Sequence, residues 1–354
     1  MAMPEINILF KTLAKTASIR SARGVACIIV KDGAVEGKYV YTREKQITQS
    51  YEEDNLSLVK EAFNKYGVNK LVVYAIDKTS GTLADALNNL KKVEINYLAC
   101  NFALEENDVT LIKQFKETRV KNNMDLQIIA NVAADDEYFI NFASTGINVN
   151  GSAIEPHRFM CKLAFILSSI PQTESATYYV LDDVTEVTEI ENEDEAVEAG
   201  KLFITFDGEK YKLSRAVNSK TTLAANEKKD LKKIKITEGK IIVKGDIYKV
   251  FRDKYVGKCN NDYNDRLSLV SEINRYLTNL AYEGILNIDY DNRVELDVQA
   301  MRDYMETEAE TDTSDMKDID VLKDAEGLCG SKVFIKGQVR FIDAMEDISL
   351  VLYM

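Results

Sequence analysis

A chain of 354 residues, 45% hydrophobic and 29% charged, is long enough for two or three domains. Its formal net charge of −13 argues against nucleic acid as the main partner, and no apolar run reaches the roughly 18 residues that a membrane-spanning helix needs. One histidine argues against a zinc site, and five scattered cysteines with no Cys-x-x-Cys pair point to reduced thiols and production in the cytoplasm.

Met1-Ala2-Met3-Pro4 lacks the basic and apolar stretches of a secretory signal. Ile6, Ile8 and Phe10 fall on one face at period two, so residues 1–20 read as a strand-forming arm followed by a polar stretch. Gly24 to Val30 reads as a buried strand, and Asp32-Gly33 marks a turn after it. Leu56 to Tyr66 is a short helix stopped by Gly67. Lys70 to Ile76 is a strand and Leu83 to Leu90 a helix.

An α/β rhythm follows. Ile95 to Cys100 and Gln127 to Val132 are strands, with a helix between them capped by Asp108. Ser152 and Glu155 have capping-box spacing before a helix through Ser168. This alternation implies a parallel or mixed sheet covered on both faces. Leu202 to Phe206 and Tyr211 to Leu213 flank Asp207-Gly208-Glu209, a hairpin signal. Between Leu231 and Tyr255 the seven-residue recurrence of Ile234, Ile241, Tyr248 and Tyr255 favours a helix; a hairpin around Glu238-Gly239 is the alternative.

The next helix is capped by Asn264 or Asp265, carries Leu267, Val270, Ile273, Leu277 and Leu280, and ends at Gly284. Arg293 to Val298 is a strand, a helix begins at Val298, and the polar stretch to Glu326 reads as a linker or exposed loop. Lys332 to Ile335 and Gln338 to Ile342 read as strands. Ile348, Leu350 and Leu352 alternate in a last strand. Apolar strands at both ends suit pairing with a sheet edge, within the chain or on a neighbour. Charge is blocked: Asp182 to Glu198 is acidic without Lys or Arg, whereas Lys228 to Lys258 is basic.

Catalytic signals are sparse. Any Ser–His–Asp or Cys–His arrangement must use His157, in the first turn of a helix, and no nucleophile elbow, phosphate loop or G-x-G-x-x-G is present. The pairs Asp135-Asp136 and Asp182-Asp183 read as solvated loops rather than cation sites. The expectation is no catalytic residue, no metal and no cofactor; a catalytically active α/β hydrolase built on His157 is the alternative.

The run Asp253-Lys254-Tyr255-Val256-Gly257-Lys258, then Asn260 to Arg266, Glu283-Gly284-Ile285-Leu286, Val294 to Val298, Gly330 to Gly337 and Asp343-Ala344-Met345-Glu346-Asp347 resembles the tail sheath proteins of contractile injection machines. Upstream, Gly151-Ser152-Ala153-Ile154, Ile170-Pro171-Gln172, Ser175 to Tyr178, Pro4 to Ile8 and Ser21-Ala22-Arg23-Gly24 extend the resemblance over nearly the whole chain. It is closest to the short, defective-prophage type among phage tails and phage-tail-like bacteriocins.

The resemblance implies an α/β multidomain fold: an arm over 1–20, a small β-rich domain over 21–92, a central subtilisin-like α/β domain over 93–225, a C-terminal sheath domain over 226–343 and an arm strand over 344–354. It implies hexameric rings stacked helically around an inner tube, with arms adding strands to neighbours' sheets. Partners would be the chain itself, the tube protein, and baseplate and tail-terminator proteins, with assembly in the bacterial cytoplasm and release on lysis. Ile6, Ile8, Phe10, Ile348, Leu350 and Leu352 would be the inter-subunit residues. The family places the C-terminal domain against the tube, so Lys249, Arg252, Lys254, Lys258 and Arg266 become tube-facing candidates.

Overall fold

A computed structural model describes residues 24–225 and 227–353. The chain divides into two compact units: residues up to Ile241 together with Met345 onward, and residues Ile242–Ala344.

The first unit is organised by β1 (Val25–Asp32). Every residue from Val25 to Val30 is inaccessible to solvent, so this strand must be covered on both faces. Strands β2 (Gly37–Tyr41), β3 (Lys70–Asp77), β4 (Tyr97–Cys100), β5 (Gln127–Ala130), β6 (Phe139–Phe142) and β10 (Lys201–Leu202) complete a seven-stranded sheet of order β10-β6-β5-β4-β1-β3-β2. Only β2 runs antiparallel.

Period two sends Ala26, Ile28 and Val30 to one face, where they pack with α1 (Glu53–Asn64) and α4 (Pro156–Ser169). Val25, Cys27 and Ile29 face α2 (Leu83–Leu90) and α3 (Glu106–Lys121). The sheet crosses residue 92: β1 pairs with both β3 and β4. The division expected between 21–92 and 93–225 therefore falls inside one sheet, because β1 is apolar on both faces and takes a parallel neighbour on each side.

Helix α4 is buried from Phe159 through Ser168, including Lys162, whose ammonium pairs with Glu61 at 2.9 Å. Its start differs from the expected capping box. Ser152 belongs to β8 (Ser152–Ile154), paired with β7 (Ile147–Val149) through an Asn150-Gly151 turn with both φ angles positive. Glu155 is the N-cap and Pro156 opens the helix. Likewise Glu105, not Asp108, caps α3; Asp108 is the reciprocal partner in the third helical position. The expected hairpin forms as β11 (Ile204–Phe206) and β12 (Tyr211–Leu213). β9 (Val184–Glu186) pairs with β7, and α5 (Glu193–Glu198) carries part of the acidic block.

The ambiguous segment is α6 (Ile234–Val250), continued by a π-helical turn over Phe251–Tyr255; the hairpin alternative does not form. The division between units falls within α6, after Ile241, rather than at 225/226. In the second unit α7 (Tyr263–Tyr282) is capped by Asp262, whose carboxylate accepts from Asp265 N, so the cap lies ahead of Asn264 and Asp265. Leu269, Ile273, Leu277 and Leu280 pack with Val243, Ile285 and Leu286.

β13 (Arg293–Leu296) pairs antiparallel with β14 (Ile335–Gln338). The two strands expected over 332–342 are thus one strand centred on Lys336-Gly337, plus an isolated bridge of Phe341 to Leu286. Gly337 is required there, since a Cβ would collide with the Arg293 carbonyl oxygen. The polar stretch is not a linker: α8 (Val298–Thr307) and α9 (Asp318–Lys323) bury Met301, Met305 and Val321 with Cys329.

Arg119 closes the turn between α2 and β4. Its guanidinium donates to the carbonyls of Leu90, Lys91, Val93 and Met124 at 2.8–3.3 Å, and burial lowers its pKa to about 10. Arg119→Ala leaves these acceptors without their donor and should cost about 3 kcal/mol or more in urea unfolding. Arg119→Lys should recover less than half, because an ammonium lacks the planar fork.

Candidate assembly interface

The C-terminal segment is fixed at its root and exposed beyond it. The Glu346 carboxylate is almost fully buried. It accepts from Thr177 Oγ1 at 2.6 Å and Ser175 Oγ at 3.3 Å on one oxygen, and from Lys233 Nζ at 2.8 Å on the other. Thr177 Oγ1 also accepts from Ala216 N at 3.0 Å, and Asp347 pairs with Arg215. Three segments of the first unit thus build one receptor: 175–177, 215–216 and Lys233.

Beyond Asp347 no strand forms among the described residues. Ile348 is 91% exposed and Leu352 78%, and Leu350, Val351 and Tyr353 are also open to solvent. A continuous exposed apolar run of this kind marks an interaction surface. Ile6, Ile8 and Phe10 lie outside the described residues.

The second unit presents a complementary feature. β13 and β14 form a two-stranded sheet, too small to be stable alone. The outer side of β13 is occupied at Val294, whose N–H donates to Asn274 Oδ1 at 2.7 Å and whose carbonyl accepts from Asn274 Nδ2 at 3.0 Å. No described strand lies along the outer side of β14. An apolar groove of about 340 Å³ is lined by Val243 and Ile247 of α6, Ile273 and Leu277 of α7, Val294 of β13, and Ile335 to Val339 along β14.

Four of the five basic candidates gather around the end of α6. Lys249 lies in its last turn, where a cation suits the helix dipole. Exposed Arg252 forks onto Asp253 and lies 5.6 Å from the Tyr248 ring; exposed Lys254 pairs with Glu272; exposed Lys258 donates to the Asp253 carbonyl.

Arg266 is a correction. It is only 3% exposed and cannot face a tube. Its guanidinium pairs with buried Asp324 at 3.1 Å and donates to Asn261 Oδ1, Asn261 O and Leu322 O. Asp324 also accepts from Leu328 N and Cys329 N, and Asn261 donates to the carbonyls of Gly330 and Lys332. The sequence runs around 260–266 and 330–332 are therefore one internal network.

Nothing around His157 resembles a catalytic set. It is half-buried in the first turn of α4, and burial holds its imidazole below the ordinary histidine range, with Glu155 and Arg158 acting in opposite senses. No hydrogen bond joins it to a nucleophile or carboxylate among the described residues. Asp32, at the C-terminal end of β1, is filled by Asn55 Nδ2 and the N–H groups of Ala34, Val35 and Glu52. Asp135 accepts from Thr221 and Thr222, and Asp136 pairs with Lys116 at 2.7 Å. Among the described residues no three His, Cys, Asp or Glu side chains are grouped to hold a metal ion.

Sequence reasoning missed the Glu346 receptor and the Asn274 edge cap. The signal for the first was the run 343–347 itself, whose acidic pair follows an apolar residue without any helical or strand period.

Comparisons with known proteins bear on the whole arrangement. Residues 226–354 match the phage tail sheath C-terminal domain. The chain is 31% identical, over 98% of its length and 97% of the relative's, to the tail sheath protein of Clostridium phage phiCD119. Its fold is similar to the sheath tail protein of Desulfitobacterium hafniense (TM-score 0.64, 15% identity, 77% of this chain and 90% of that one). It is similar also to the anti-feeding prophage helical sheath in its contracted state (TM-score 0.65, 14% identity, 93% and 92%).

Arg266→Ala strands the Asp324 carboxylate without its cation and should destabilise the second unit by about 3–5 kcal/mol. Arg252→Ala, at an exposed pair, should stay within about 0.5 kcal/mol. Urea unfolding followed by circular dichroism reads both.

Proposed function

This chain belongs to the tail sheath proteins, and we propose that it builds a contractile sheath by lending its C-terminal strand to a neighbour's second unit. It is a structural subunit, not an enzyme. The observation that carries the strand-lending reading is a matched pair of open features in one chain. The apolar segment 348–353 pairs with no described strand, while β14 has no described strand on its outer edge and lines an apolar groove.

Six extended residues span about 20 Å, enough to lie along β14 with Ile348, Leu350 and Leu352 turned into the groove. Backbone pairing suits an element that must stay joined while subunits move, because it does not depend on a fixed set of side-chain contacts. Residues 1–20 act as the second arm. The subunits stack as hexameric rings around an inner tube, assembled in the bacterial cytoplasm between baseplate and tail terminator and released on lysis. Contraction passes along the stack as each ring moves from one packing to another, and the array sums the free-energy difference per subunit.

Lys249, Arg252, Lys254 and Lys258 face the tube in this reading. Asp253 and Glu272 already offset part of their charge, so each ion pair to the tube is weak, about 0–1 kcal/mol, and only repetition holds the extended state.

Deleting 348–354 should leave a folded monomer that builds no long cylinders in negative-stain microscopy. Val339→Glu, on the groove, should do the same. Mixing the two variants should give short complexes, since one accepts and the other donates. Regular cylinders from either variant alone would refute strand lending by this arm. Lys249→Glu with Lys258→Glu should give sheaths that assemble but contract early or slip from the tube; unchanged extended particles would refute the tube assignment.

A further inference from the structure

We infer that Glu346 and Asp347 form a clasp that fixes the take-off point of the arm, so that motion of the first unit is transmitted to the neighbour holding residues 348–353. The inference rests on the strand-lending reading but adds a site to it. An arm that only tethered subunits could leave its own chain through a slack linker. This one does not. Two residues before the exposed run stands a buried carboxylate, Glu346, held by two hydroxyls and an ammonium, with Arg215 Nε 3.9 Å away.

The clasp holds by charge as well as geometry. Lys233 and Arg215 both face Glu346, and Arg215 reaches Asp347 with its other end. Hydrogen bonds to ionised groups are about twice as strong as neutral ones. The receptor is itself tied down. Ile234 N donates to Ala216 O at 3.1 Å, and Val217 bridges Lys233, so its walls belong to the ordered body of the first unit. The alternating run begins at Ile348, directly after Asp347, leaving no slack to absorb a displacement. Met345 and Asp347 on either side are exposed, so the buried Glu346 is the point of attachment.

The closing experiment compares three variants with the arm deletion. Glu346→Gln with Asp347→Asn keeps shape and removes charge. Arg215→Lys keeps a cation beside both carboxylates. Insertion of Gly-Ser-Gly after Asp347 keeps clasp and arm but adds slack. All should retain the melting temperature of the monomer within a few degrees. The neutralised and the inserted variants should form cylinders several-fold shorter than the parent, and the Arg215→Lys variant should keep most of the length. Parent-length cylinders from the inserted variant would overturn the clasp, as would equal shortening by the Arg215→Lys and neutralised variants. If the arm deletion itself leaves cylinders intact, the strand-lending reading fails instead. If neutralisation unfolds the monomer, the inserted variant alone decides.

Discussion

A β-strand that is apolar on both faces cannot rest at a surface, and β1 sets that condition for the first unit. Val25 to Val30 are wholly enclosed, and each large side chain among them gains about 1.5–3 kcal/mol only if both faces are covered. Parallel neighbours on each side and helices on each face follow from this. The helix behind the sheet, α4, is consequently buried around its circumference, and its lysine is compensated there by Glu61 at 2.9 Å and Asp183 at 3.9 Å.

Ionic groups inside this protein sit where separate stretches of chain meet. Arg119 gathers carbonyls from the ends of two helices, Arg266 and Asp324 join the start of α7 to the loop after α9, and Glu346 joins the C-terminal segment to three others. Such pairs contribute little net stability relative to apolar packing, but removing one partner is costly. They fix which segment meets which. In a protein whose subunits are proposed to exchange packings, defined internal joints confine movement to the contacts between subunits.

Exposed strand edges invite uncontrolled association, and this chain treats its own unequally. β13 is covered at Val294 by Asn274, while β14 borders an apolar groove. One edge is capped at a single residue and the other has no described strand beside it, and the proposed strand lending would use the second.

The sequence by itself determined the local elements wherever their period was strong. The β1 run, helix α2 with its bounds, the α6 periodicity and the 202–213 hairpin all follow from spacing, and the quoted runs carried the family, whereas the alternation at 348–352 forms no strand among the described residues. Caps and boundaries were decided elsewhere. Ser152 lost its cap role because Asn150-Gly151 turns the chain into β8, and Asp262 outcompeted two neighbours by geometry alone. Arg266 looked like its basic neighbours, since a sequence carries no sign of burial for an ion whose partner, Asp324, lies far along the chain. The same holds for Glu346, whose partners at 175, 177 and 233 are brought to it only by the fold. Local period reads out hydrogen bonding along the backbone; partners for buried charge are set by long-range packing, which only the tertiary structure supplies.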